Sequence, residues 1–418
     1  MQVDDMILIS IDDHVVEPKD MFERHVPARY AADAPRIVEG DDGMERWVFQ
    51  GVTAGSMGLN AVVSWPKEEW GMDPTTFAEM RPGAYDVHAR VRDMDRNGVL
   101  ASMCFPSFAG FSANTFHRAA DKDLALVMLQ AYNDWHVDEW CAAHPGRFIP
   151  LAIPPVWDMD ALVAEVHRTA AKGVVAMSMP ELPHLQDLPS YHSDFWDPFF
   201  TAVSDEGMAM CLHIGQGFGA ISSPPEAPID NLIVLATQVS ALAAQDLLWG
   251  PAFHKFPELK VVWSEAGIGW IPFYLDRCDR HYTNQRWLRH DFGDDLPSDI
   301  FRRHCLACYV TDPSALKLRR EIGVDIIAWE CDYPHSDSLW PDAPEVVLAE
   351  LTAAGATDEE INKITWENSA RFIGFDPFAH RPRTEATVAA LRAGATDVET
   401  ATVSREEWRR RYEAQLSA

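Results

Sequence analysis

The sequence predicts an α/β chain folded as a distorted (β/α)8 barrel, and two observations carry that expectation. Eight short apolar and β-branched runs alternate with stretches of helical periodicity, the pattern of a parallel barrel rather than a doubly wound sheet. Three polar segments also close such runs: Asp12-Asp13-His14 after residues 7–11, His213 after 208–212 and Asp332 after 324–329. These are the first, fifth and eighth runs, and catalytic side chains of a barrel sit at the C-terminal ends of its strands. Asp12 and His14, two residues apart, point to the same side of an extended chain and can share one ion.

The elements follow in order. After the first run, residues 15–98 are too many for one helix and carry Gly, Pro and Trp clusters at 51–58 and 65–70. They read as a lid or insertion over the barrel mouth. Strand-like runs follow at 100–105, 148–153, 174–179, 208–212, 259–264, 308–311 and 324–329. Helical spacing fills residues 122–144 (Leu124, Leu126, Leu129, Tyr132, Trp135, Trp140) and 158–172 (Leu162, Val163, Val166, Ala170). Barrels with insertions reach 418 residues as one domain, so residues 1–375 are assigned to the barrel and 376–418 to a C-terminal helical extension. Within that extension Trp408 sits in the charged run 405–411, which points to docking on the barrel or a partner subunit rather than to a solvated helix.

Composition excludes several function classes. The hydrophobic fraction of 47% is enough for a large core, and a formal charge of −29 argues against nucleic-acid or anionic-membrane partners. The start of the chain has neither a basic segment nor an apolar leader, and no run is read as approaching the ~20 apolar residues of a membrane span. A cytosolic enzyme with a small-molecule substrate is expected. The seven cysteines read as reduced, buried thiols, and the single Cys305/Cys308 pair lacks the second pair of a zinc ribbon. Most of the 16 histidines, such as His117, His144, His192, His281 and His290, are expected on the surface or in satisfied helix positions, and the 15 tryptophans in core and lid packing.

Between Ile7 and Phe375 the chain resembles the amidohydrolase-related family that includes aminocarboxymuconate-semialdehyde decarboxylase and the resorcylate-type decarboxylases. The resemblance rests on residues 11–18 (IDDHVVEP), Arg90 with 93–99 (DMDRNGV), 212–215 (LHIG), 256–260 (FPELK) with 264–272 (SEAGIGWIP), and 331–337 (CDYPHSD). The segment 367–371 (ENSAR) resembles the family's closing helix. What the resemblance implies is one divalent ion, zinc or manganese, held by Asp12, His14, His213 and Asp332, the first motif being the acid form of a His-x-His pair. Two imidazoles and two carboxylates balance a divalent charge. Binuclear relatives carry a bridging lysine at the end of the fourth strand, where this chain has Met177-Ser178-Met179-Pro180-Glu181. One metal is therefore expected.

Glu265 departs from the family pattern, which has a histidine at the end of the sixth strand. A carboxylate there suits a general base, because burial and neighbouring anions raise its pKa. The leading expectation is thus a metal-dependent hydrolase cleaving a C–N or C–C bond in a small cyclic or aromatic molecule, with Asp332 and Glu265 as catalytic groups. His335 either replaces the lost imidazole or is a hydrogen-bonded loop residue. The alternative is the family's nonoxidative decarboxylation, with Asp332 protonating the ring carbon; a non-catalytic binding protein is a third reading. Arg277, resembling an arginine that family decarboxylases present across a dimer interface, and Arg90 are candidate binders of a substrate carboxylate. A homo-oligomer, a dimer in particular, is expected. Glu17-Pro18 is read as shaping the turn that leaves the site.

Overall fold

The computed structural model describes all residues except 55, 56, 72, 222, 286–291 and 418. Its contacts divide the chain into two compact units, Met1–Val156 with Cys331–Val346 and Pro377–Ala418, and Trp157–Glu330 with Val347–Asp376.

The first unit holds the parallel strands Ile9–Val15, Ala101–Pro106 and Phe148–Ile149, in that order, followed by the short strand Leu151–Ala152. The third run is broken at Pro150, which has no N–H to give to a ladder. The first strand runs further than its apolar residues imply. It continues through Asp12, Asp13 and His14 because His14 and Val15 still pair with Phe105 and Pro106, after an irregularity between Ser10 and Asp13. The candidate ligands therefore lie in the strand rather than beyond it.

The long insertion contains a three-stranded antiparallel ribbon, Arg36–Glu39, Glu45–Phe49 and Val52–Thr53, and ends in a regular helix, Val87–Asn97. Asp86 caps that helix by accepting from the Ala89 N–H, and Gly98 closes it with φ +74°, where a Cβ would lie 2.9 Å from a Val388 methyl. The helical pattern at 122–144 is realised as Lys122–Trp135 followed by a π-helical turn, His136–Cys141. The Asn133 side chain leaves the first of these to exchange two hydrogen bonds with the Ile153 backbone, at 2.9 and 3.0 Å.

The second unit is a repeated strand–helix array. Ala176–Met179, Ala209–His213, Lys260–Ser264, Cys305–Tyr309 and Ile327–Trp329 pair parallel, each with the next. Two expected spans shift. The seventh strand starts at Cys305 rather than at Cys308, since Cys305, Leu306 and Ala307 are the residues in register with Val261, Val262 and Trp263. The first half of the eighth run, Val324–Ile326, is a 3-10 turn. Asn368, on the helix Asn368–Ile373, fastens that turn by donating to the carbonyls of Val324 (2.7 Å) and Ile327 (2.8 Å). Asn368→Ala should destabilise the protein by about 1–3 kcal/mol, the usual cost of buried groups left unsatisfied, measured as a lower denaturation midpoint.

The helix Ile229–Leu248 corrects the reading that no segment is long and apolar enough to cross a membrane. It has 20 residues and a mean hydropathy of 1.3, so it passes by length and composition, with 44% of that window buried. Scattered polar residues such as Asn231, Gln238 and Ser240 hid the run. Ala236, Val239, Ala243 and Leu247 form its packed face, whereas Ile229, Ile233, Val234 and Leu242 are exposed. All seven cysteines are buried thiols outside any disulfide.

Candidate metal centre

In the first unit the strand Ile9–Val15 and the turn after Trp329 bring four residues named from the sequence together. His14 Nε2 lies 3.2 Å from Asp332 Oδ1 and 3.6 Å from Asp12 Oδ1. His335 Nδ1 is 2.8 Å from Asp332 Oδ1, and its ring stacks on that of His14 with centroids 3.8 Å apart. The backbone fixes this arrangement: Asp332 N–H donates to Asp12 O (3.0 Å) and His14 N–H to Tyr333 O (2.7 Å). Asp332 itself holds a left-handed φ of +59°, a conformation that non-glycine residues keep where the surroundings impose it.

All four side chains are buried. Burial, with the charges of Asp332 and Asp13 nearby, pushes the Asp12 carboxyl well above the usual range. Asp332 is held below it, because its interactions with His335 and His14 outweigh desolvation. Asp13 does not point to the cluster. Its carboxylate accepts from Ser10 Oγ (3.1 Å), Ser102 Oγ and the Tyr333 N–H (3.0 Å), and burial raises it to about 6.

Arg90, a candidate carboxylate binder in the sequence, stands in the structure as a strut. It is fully buried, its Nε donates to Gly83 O (2.6 Å), its Nη2 to His14 O, and its guanidinium lies 4.3 Å over the Tyr333 ring. Its Nη1 donates to Cys104 Sγ (3.4 Å), and through Nη2 it holds the His14 backbone. It does not pair with Asp93 either; Arg81 does, through two 2.7 Å bonds. Glu17, read as shaping its own turn, reaches instead to the loop after the second strand, accepting from the Phe108 (2.8 Å) and Ala109 (3.2 Å) amides. That loop carries Phe111, whose ring lies 5.3 Å from that of His14.

In the second unit His213 is the last residue of its strand. Its Nδ1 donates to Ile214 O (2.7 Å), the tautomer that directs the Nε2 lone pair outward, and Nε2 lies 3.4 Å from Glu265 Oε2. Glu265 follows the strand Lys260–Ser264 with φ +54°, and its N–H donates to the buried Glu330 carboxylate (3.1 Å). Glu181 was not singled out in the sequence. It is buried, accepts from Ser240 Oγ (2.8 Å), and burial raises its carboxyl to about 7. Glu181 and Glu330 each stand just past a strand, so the strand-end rule would have found both. Arg277 is exposed on the helix Trp270–Asn284, beside Trp249, Tyr274 and His281 at a surface cavity of about 530 Å³. His281 is exposed, as expected, and His290 lies outside the described residues.

The donor set fits a divalent cation. His14, Asp332 and His335 each offer an atom within 4.8 Å of the others, and His335 Nε2 is buried without a hydrogen-bond partner. Buried carboxylates grouped in this way are costly unless a cation compensates them.

A family profile described as "Amidohydrolase" matches residues 34–375, and the chain belongs to that family. A 2-amino-3-carboxymuconate-6-semialdehyde decarboxylase from Dictyostelium discoideum is 22% identical over 318 residues, covering 74% of this chain and 83% of the relative. An amidohydrolase structure from Mycobacterium avium subsp. paratuberculosis superposes with a TM-score of 0.69 at 20% identity, covering 88% of this chain and 98% of the other. A dihydroxybenzoic acid decarboxylase from Polaromonas, solved with manganese and 2-nitroresorcinol, gives a TM-score of 0.57 at 19% identity, covering 88% of this chain and 96% of its own. These likenesses show the fold, and the (β/α)8 class predicted from the sequence is that of the superfamily. The chain is an enzyme of the amidohydrolase superfamily.

Proposed function

We propose that this enzyme is a metal-dependent nonoxidative decarboxylase acting on a small cyclic or aromatic carboxylate. The observation that carries the reading is the Asp332–His335 pair, 2.8 Å apart, with the His335 ring stacked on His14. The decarboxylases among its relatives support it over the hydrolase expected from Glu265. Asp12, His14, His213 and Asp332 are proposed as ligands of one zinc or manganese ion, which when bound would anchor substrate oxygens and withdraw electron density from the reacting carbon. The Asp332–His335 pair would then deliver a proton to that carbon as the bond to the carboxyl group breaks. The electron pair of the broken bond stays on the carbon and carbon dioxide leaves.

Hydrolysis remains the second reading, favoured by one feature: Glu265 beside His213 in a strained backbone, placed as a general base would be. Arg277, on an exposed helix face, is proposed to bind a carboxylate in a neighbouring copy of a homo-oligomer. A cytosolic location goes with this metabolic role.

The test uses metal-loaded protein, a panel of hydroxylated aromatic carboxylates, and isotopically labelled solvent. Decarboxylation releases carbon dioxide and leaves solvent deuterium on the product carbon. Oxygen from labelled water in the product, without carbon dioxide, would replace this reading with hydrolysis.

A further inference from the structure

Three non-glycine residues in a six-residue stretch of the insertion hold positive φ: Leu59 at 35°, Asn60 at 59° and Ser64 at 73°. The contacts of this bent segment run in two directions. Toward the turn that carries Asp332 and His335, Asn60 Nδ2 donates to Ser336 Oγ (2.9 Å) and Val63 N–H to Pro334 O (3.0 Å). Toward the C-terminal extension, Ser64 O accepts from the Val403 N–H (2.8 Å) and Ser64 Oγ from Trp408 Nε1 (3.3 Å). Val62 and Trp65 share a buried apolar cluster with Val403 and Trp408.

Glu79 is the polar anchor of this assembly. Its side chain is fully buried and accepts from the Thr75 N–H (2.6 Å) and Oγ1 (2.8 Å), from Arg405 Nη2 on both oxygens (3.0 Å), and from Arg409. Its carbonyl accepts from Trp65 Nε1 (2.9 Å), and the Arg405 guanidinium lies 5.0 Å over that same ring. A buried carboxylate held from three sides makes a rigid joint, and replacing Arg405 removes the cation that bonds both of its oxygens.

We propose that the C-terminal helix Arg405–Leu416 is a latch, with Glu79, Arg405 and Trp408 as positioning residues: it holds residues 59–65 in their bent course and through them sets the Asp332–His335 turn. Backbone strain of this kind persists where surrounding contacts over-determine it, and here those contacts come from the tail on one side and the candidate metal centre on the other. In its link to metal binding, though not in its link to the turn, the inference rests on the metal reading above.

The experiment compares Trp408→Ala, Arg405→Met, Arg405→Lys and Asn60→Ala with wild type in the full-length chain. Hydrogen exchange of peptides covering 57–65 and 331–338 reports the positioning, and manganese affinity, measured by competition with a chelator, reports the centre. Trp408→Ala and Arg405→Met should speed exchange in both peptides and weaken manganese binding by about tenfold, the lower end of what loss of a supporting group costs a metal site. Arg405→Lys, keeping a cation on Glu79, should restore most of both. Asn60→Ala should loosen 331–338 while the tail stays protected. A latch that merely glues the tail down would free 57–65 and leave 331–338 and manganese affinity within twofold of wild type, which overturns the proposal. If the tail variants do not fold, unchanged exchange in Asn60→Ala overturns it equally. A wild-type protein that binds no manganese would sink the metal reading instead, and the exchange data would still decide the latch.

Discussion

Replacing His213 with alanine is expected to strip the protein of its metal. Protein purified without added metal and reconstituted should hold close to one equivalent of zinc or manganese per chain. The His213→Ala form should lose affinity by more than the roughly 10–100-fold that loss of a merely supporting group costs. A supporting residue tunes a ligand, whereas His213 offers its own Nε2, oriented by the Nδ1 bond to Ile214 O. His281→Ala, on an exposed position of the helix Trp270–Asn284, should bind as wild type. Elemental analysis with chelator competition reads both. Two tightly held equivalents in wild type would contradict a mononuclear site, which is expected because the strand Ala176–Met179 is followed by Pro180 and Glu181 rather than by a bridging lysine.

The second large effect separates the two chemistries. If Glu265 is a general base, Glu265→Gln should keep fold and metal yet lower kcat by roughly 10²–10⁴-fold, with a smaller change in KM, since the loss is confined to the transition state. If decarboxylation through Asp332 and His335 is the reaction, the same variant should stay within about tenfold of wild type, because Glu265 then takes no part in the proton transfer. Glu265→His sharpens the comparison by restoring an imidazole and removing one negative charge. Loss of metal from Glu265→Gln would instead make Glu265 a ligand, which its position 3.4 Å from His213 Nε2 makes a real outcome.

The eight strand runs were legible because apolar, β-branched segments survive in any register. Their ends were not, since an end is set by the partner. Cys305 joins the seventh strand because Val261 lies opposite, and His14 stays in the first because Phe105 does. Candidate ligands are legible where such a residue type stands in or at the end of a strand, as Asp12, His14 and His213 do. The surroundings of Arg90 were not legible, because a sequence shows a charge without its destination, here two main-chain carbonyls and a thiol. Glu181 is hidden for the converse reason: a single acid after a proline gives no sign that Ser240, far along the chain, will donate to it. The insertion showed its Gly and Trp clusters but not its antiparallel ribbon, whose strands are short and half exposed.

The row of Ile229, Ile233, Val234 and Leu242 on the outer side of its helix has a colloidal consequence. Each copy carries a sticky stripe on a body with a formal charge of −29, so two opposing forces of different range govern how copies meet. Electrostatic repulsion reaches about 10 Å at 0.1 M ionic strength and about 3 Å at 1 M, while apolar attraction acts only at contact and strengthens as salting-out anions are added. Dilute buffer should therefore keep the copies apart and concentrated sulfate should draw them together. Light scattering across a salt series would show it as an apparent mass that climbs with ionic strength, the reverse of an assembly held by ion pairs.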